Sequence, residues 1–290
     1  MPTIKSAIQK GEEMLTKAGV DSARVEAEWL LAHALNRPRL ECLIDPTCPL
    51  SDQQSEGYLA MLDRRCRKEP SQYIIGTTEF MGLEFLSTPD ALIPRPETEI
   101  LANLAIKRAK SISAPVSLLD FGTGTGCLAL SIASALKEAR VTAVDNTEKA
   151  LSLSKKNAEK LGLSERVSFV KAANYFEHQQ KERFNLLVTN PPYIPRAEIE
   201  QLAPEIKDHE PLQALDGGTD GLSFYRLIAQ QAPACLTPGA ILLAEFGDGQ
   251  GPLLQTLFQS SGWGKAILHA DLTGRERILE TTWGQSEAAS

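Results

Sequence analysis

Asn190-Pro191-Pro192-Tyr193 follows directly on the apolar run Phe184-Asn185-Leu186-Leu187-Val188-Thr189. These residue types suit chemistry on a planar amino nitrogen. An amide or ring amino group is a poor nucleophile because its lone pair is delocalised into the neighbouring carbonyl or ring. The Asn190 side-chain oxygen and the Pro191 carbonyl are two acceptors for its two N–H bonds, and together they can turn the lone pair toward an incoming methyl. Two prolines fix φ and remove competing backbone donors. Tyr193 offers a flat face against which a substrate group can pack. The plainer reading of the same residues is a Pro-rich turn at a strand end.

A second group lies upstream. Val116–Phe121 reads as a buried strand running into Gly122-Thr123-Gly124-Thr125-Gly126, and the helical pattern Cys127 to Leu136 follows. Glycines let a ligand approach the backbone closely, and the helix N-terminus favours an anionic group such as a carboxylate. A dinucleotide fingerprint places its third glycine three residues after the second; here Gly126 follows Gly124 by two, which argues against pyrophosphate. The next strand, Arg140–Val144, ends at Asp145, whose carboxylate can accept from ribose hydroxyls. Glycine turn and acidic strand end together imply a nucleoside ligand. The plainer reading of Asp145 is an N-terminal acid for the helix Thr147 to Leu161.

These residues resemble the class I S-adenosylmethionine-dependent methyltransferases, and Asn190 to Tyr193 narrows the likeness to enzymes that methylate planar amino nitrogens. Further stretches resemble the peptide chain release factor glutamine methyltransferases: Ile93-Pro94-Arg95-Pro96-Glu97-Thr98-Glu99, Gly76 with Glu79 to Phe85, Glu210-Pro211, Gly217-Gly218-Thr219-Asp220-Gly221-Leu222, Glu245-Phe246-Gly247 with Gln250, and Asp271 with Gly274 and Arg275. The resemblance spans essentially the whole chain. It implies S-adenosylmethionine as cofactor, no metal, and the glutamine amide in the Gly-Gly-Gln loop of release factors as acceptor. It also places the adenine near Asn174 and Tyr175. Asn174 stands where the family usually carries an acid, so it keeps an acceptor without the charge.

Composition bounds the alternatives. The 290 residues carry 30 Lys+Arg against 37 Asp+Glu, a net charge of −7, and neither half is basic. A nucleic-acid binder usually shows the opposite balance, which weighs against the alternative of an adenine amino methyltransferase on nucleic acid. A third reading, a catalytically silent binding or scaffold protein of the translation machinery, sits poorly with the filled catalytic positions. No apolar stretch reaches the roughly 20 residues of a membrane span, and the N-terminus lacks a signal-peptide pattern, so a cytoplasmic location is expected. The five cysteines, Cys42, Cys48, Cys66, Cys127 and Cys235, show no metal-ligand spacing. His33, His178, His209 and His269 are equally scattered.

Residues 1–71 show helical spacing broken by Gly19, Pro38, Asp45-Pro46 and Pro49, which predicts a small helical bundle. A connector at 72–94 is expected to form a β-hairpin. Strands and helices then alternate from Val116 to Gly262, which calls for an α/β unit with a doubly wound parallel sheet; the resemblance makes 95–284 the methyltransferase domain, its sheet mostly parallel and seven-stranded. Its last strands are expected at Gly264–Leu268 and Glu276–Thr282. In such a sheet ligands gather outside the carboxyl ends of the strands, where Gly122 to Gly126, Asp145, Asn174 and Asn190 all fall. The bundle, on the resemblance, docks the protein substrate. Arg64-Arg65-Cys66-Arg67-Lys68 reads as a solvated helix face.

Overall fold

The structure, a computed structural model, describes residues 1–172, 176 and 183–284. The chain divides into two compact units, Met1–Thr77 with Ala203–His209, and Thr78–Leu202 with Glu210–Ser290.

The first unit is helical. Capping boxes start α1 (Ile4–Lys17), where Thr3 and Ser6 bond reciprocally, and α4 (Asp52–Cys66), where Ser51 and Gln54 do the same; α2 (Ala23–Leu35) and α3 (Arg39–Ile44) lie between them. The helices close over Ile4, Leu15, Leu30, Leu31 and Leu62, each fully buried. Gly11 permits this approach: a Cβ there would sit 2.0 Å from the Tyr58 hydroxyl, which donates to the Ala27 carbonyl at 3.2 Å. The 72–94 connector does not begin as a strand. Pro70 caps a short α5 (Ser71–Ile75), and Gly76, at φ 83°, ends it.

Residues 203–209 join this unit through charge. The buried Arg65 guanidinium bonds Glu26 on α2 and, at 3.2 Å, Glu205 in the helical turn Pro204–Lys207. Arg64 pairs with Glu69 at 2.5 Å, and Lys68 donates to the Gly19 carbonyl at 2.7 Å. The basic run is therefore largely spent on the unit's own acceptors, not on solvent.

The second unit opens with a hairpin, β1 (Thr77–Phe80) and β2 (Leu83–Leu86), and continues with α6 (Pro96–Ala109), β3 (Ser117–Phe121), α7 (Cys127–Ala135), β4 (Arg140–Asp145), α8 (Glu148–Lys160), β5 (Val167–Lys171) and β6 (Phe184–Thr189). Then come α9 (Ser223–Gln231), β7 (Leu236–Glu245), α10 (Gly251–Ser260), β8 (Ile267–Ala270) and β9 (Glu276–Thr282). The seven-stranded sheet has the order β5-β4-β3-β6-β7-β9-β8; β3 to β7 are parallel, and β9 is antiparallel to both β7 and β8. Both faces are covered, so the inner strands read as continuous apolar runs. Leu118, Leu186, Val188 and Leu243 pack with α6 and α7, while Leu119, Leu187, Leu242 and Ala244 pack with α9 and α10. β8 begins at Ile267, not Gly264, because Trp263 is taken by an isolated bridge to Trp283 and an edge-on stack against Phe258. Strand order reverses between β3 and β6, and a crevice opens at their carboxyl ends. Among the described residues no helix is long and apolar enough to cross a membrane, and no cluster of His, Cys, Asp and Glu could hold a metal.

Candidate active site

The crevice is a solvent-open cavity of about 980 Å³, and much of its lining comes from the residues after β3, β4 and β6. Gly122, Thr123, Gly124, Thr125, Asp145, Asn190, Pro191 and Pro192 line it together. Gly126 does not. It stands at φ 84° as the N-cap of α7, and a Cβ there would lie 3.0 Å from both Leu130 and Ser154, so its glycine serves helix packing. Tyr193 is also absent from the lining: its ring lies by Gly247 and the core behind the crevice, and burial pushes its hydroxyl up to about 12. Asn174 and Tyr175 lie outside the described residues.

The glycine turn is tied down by strand ends. The Gly122 and Thr123 N–H groups both donate to the Val144 carbonyl at 2.9 Å, and Gly124 N–H donates to Asp145 Oδ2 at 3.0 Å. Asp145 Oδ1 accepts from the Thr147 backbone and hydroxyl at 3.0 and 3.1 Å. Asp145 thus organises the start of α8 and also lines the cavity. Of a carboxylate's roughly four acceptor positions three are in use, which leaves about one for a ligand hydroxyl. Beneath the turn lies a residue the sequence reading passed over. Asp120, fully buried, accepts from the Thr123 hydroxyl at 2.7 Å and from Ala129 N–H at 3.2 Å, while its Oδ1 has no partner. Desolvation pushes its carboxyl up to about 7.

The Asn190 turn has different supports. Asn190 Nδ2 donates to Thr98 Oγ1 at 3.1 Å, and Thr98 Oγ1 donates to Glu245 Oε2 at 2.7 Å. Asn190 Oδ1 is left as the acceptor end of the amide. Behind the turn, Gln250 Nε2 donates to the Tyr193 carbonyl at 2.9 Å, and Gly247 N–H holds Gln250 Oε1. Residues 215–218 run alongside: Ile194 donates to Leu215, Gly217 to the Ile194 carbonyl, and Arg196 to Gly218. A Cβ at Gly217 would lie 2.8 Å from the Tyr193 backbone, so this glycine permits the contact. The Gly217–Gly221 stretch therefore buttresses the turn rather than covering the cavity. Two other stretches do meet at the cavity wall, because Arg95 bonds the buried Glu210 at 2.5 Å beside Pro94 and Pro211.

Asp90, Leu92, Asn146, Ala172, Gln213 and Phe224 also line the cavity. Of these only Asn146 had a usable sequence signal, its place beside an acidic strand end. The arrangement can seat a polar ligand against the glycine turn and Asp145, and can present the Asn190 acceptor to a second molecule.

Residues 6–76 match the family described as PrmC N-terminal domain, and residues 99–207 match Methyltransferase small domain. A release factor glutamine methyltransferase of Geobacter sulfurreducens is 40% identical over 277 residues, 96% of this chain and 95% of that one. One of Deinococcus radiodurans is 37% identical over 95% of this chain and 97% of its own length. The hMettl16 catalytic domain, solved in complex with an RNA hairpin of the MAT2A 3′UTR, shares the fold at a TM-score of 0.58 and 16% identity, covering 85% of each chain. The chain belongs to the release factor glutamine methyltransferase family.

Proposed function

We propose that this chain transfers a methyl group from S-adenosylmethionine to the side-chain amide nitrogen of the glutamine in the Gly-Gly-Gln loop of peptide chain release factors. The orientation of Asn190 carries the reading. With Nδ2 committed to Thr98, Oδ1 is left as an acceptor, and the carbonyl of Pro191, which lines the same cavity, is the second. Two acceptors match the two N–H bonds of a primary amide and hold its plane fixed, with the lone pair out of that plane and turned toward the incoming methyl. The cavity residues fit the cofactor: the glycine turn admits close approach, and Asp145 keeps about one acceptor position for a ribose hydroxyl. When bound, the cofactor supplies a methyl on a sulfonium leaving group. Asn190, Pro191 and Pro192 hold the acceptor nitrogen, beside a cavity wall to which Pro94, Arg95 and Pro211 contribute. The amide sheds its proton after alkylation, so the chain supplies orientation instead of a general base. We assign no metal, and Asn174 and Tyr175 remain candidates for the adenine contact.

The helical unit is read as a docking surface for the protein substrate. Trp29 on α2 and Leu40 and Ile44 on α3 are 51%, 67% and 73% exposed, unusual for large apolar side chains unless a partner covers them. A cytoplasmic location follows from this substrate. The test is incubation with labelled S-adenosylmethionine and either a release factor or the same factor with its loop glutamine replaced by glutamate. Label in the first and none in the second is expected; label on oligonucleotides with an unlabelled release factor would instead favour adenine as acceptor.

A further inference from the structure

The two ends of the Asn190 amide are nearly equal in shape and opposite in chemistry, so its function depends on which end faces the cavity. An outward Oδ1 accepts from a substrate N–H; an outward Nδ2 would oppose it. Asn190 cannot settle this alone, because a side-chain amide turns about its last bond with little steric preference. The decision lies with Thr98, 2% exposed in the first turn of α6. Its hydroxyl has a single proton, and with Glu245 ionised that proton goes to Glu245 Oε2 at 2.7 Å. Only lone pairs then remain to face Asn190, so the end of the amide that can bond Thr98 is Nδ2, at 3.1 Å. Glu245, 3% exposed at the end of β7, is fixed in turn, since the Tyr225 hydroxyl donates to its carbonyl at 2.6 Å. The Asn190 side chain also donates directly to the Glu245 carboxylate, so carboxylate and hydroxyl together face Nδ2 and leave Oδ1 as the free end.

We propose that Thr98 and Glu245 are positioning residues that hold Asn190 with Oδ1 toward the acceptor nitrogen; the inference rests on the methyl-transfer reading above. Thr98→Val keeps the shape and removes the hydroxyl, one of the two acceptors that face Nδ2, and so weakens the preference between the two amide orientations. Single-turnover methylation of a release factor by Thr98→Val should fall at least about tenfold, with KM for the release factor within about twofold of wild type. Thr98→Ser restores the hydroxyl and should recover turnover to within about threefold. In an Asn190→Ala background, Thr98→Val should cost nothing further, because the residue it orients is gone. A loss of packing would persist in that background. Unfolding temperature controls for folding, and Thr98→Ala is the second variant if the valine lowers it. Normal turnover in Thr98→Val or Thr98→Ala, or a loss undiminished in the Asn190→Ala background, overturns the positioning role alone. A wild-type protein that leaves the release factor unmodified overturns the functional reading and this inference together.

Discussion

The glycine turn after β3 is held from nearby in the chain, whereas the Asn190 turn after β6 is held from far away. Gly124 reaches a partner 21 residues on, Asp145, and Thr123 one only 3 residues back, Asp120. Asn190 reaches Thr98 across 92 residues, Thr98 reaches Glu245 across 147, and Tyr193 is held by Gln250 across 57. Local order of the first kind is set by strand, turn and helix signals within one βαβ unit. The second kind exists only once the sheet has brought α6, β6 and β7 together. Such a division suits two tasks: a ligand-binding turn tolerates an outline of backbone donors, whereas an acceptor that must present one end of an amide needs its supports fixed from several sides.

If the two turns do separate tasks, substitutions should separate binding from turnover. The largest expected effect is that of Asn190→Ala, which should lower single-turnover rate by about a hundredfold or more while leaving affinity for S-adenosylhomocysteine nearly unchanged. Circular dichroism, cofactor titration and rapid quench measure the three quantities together, and a variant with near-normal turnover would remove Asn190 from the mechanism. Asp145→Ala should do the reverse. Loss of a charged acceptor in the cavity should weaken cofactor binding by about 1.5 to 3 kcal/mol, with turnover at saturating cofactor less affected. Unchanged affinity by calorimetry would mean that Asp145 serves only Gly124 and Thr147.

A smaller effect concerns stability. The buried Asp120 carboxyl titrates at about 7 in the fold, against an ordinary 3.8. Between these values the folded chain binds more protons than the unfolded chain, so Asp120 destabilises the fold as pH rises through the window. Glu245, also raised to about 7, acts in the same sense, and comparison with Asp120→Asn cancels it along with the surface carboxylates. The unfolding free energy of wild type relative to that variant should therefore decline from pH 4 to 7, by at most roughly 1.4 kcal/mol per pH unit. A constant difference across urea denaturation at each pH would show that Asp120 titrates normally.

The same division explains what the sequence made legible. Gly122 to Thr125, Asp145 and Asn190, which line the crevice, were legible because each sits at a strand end with its signal beside it. The alternation of strands and helices pointed to the parallel part of the sheet, β3 to β7. Thr98 and Glu245 lay inside stretches recognised only by resemblance, and nothing local marks them as partners of Asn190. Tyr193 was expected to face the substrate; its position after two prolines says nothing about the glycines that draw it backward. The place of Ala203–His209 in the helical unit rests on contacts distant in sequence, Glu205 with Arg65 and Lys68 and His209 with the Arg67 carbonyl, which no periodicity reveals. The α5 helix was missed although Pro70 and Gly76 bracket it, since five residues are too few for a helical period to show.

The most direct measurement of the central claim is the position of the methyl group in the product. A release factor incubated with this protein and S-adenosylmethionine, digested and fragmented by tandem mass spectrometry, should carry one added methyl on the side-chain nitrogen of the Gly-Gly-Gln glutamine. A methyl on any other atom of the release factor, or a release factor returned unmodified beside methylated adenine in an added oligonucleotide, would contradict the account.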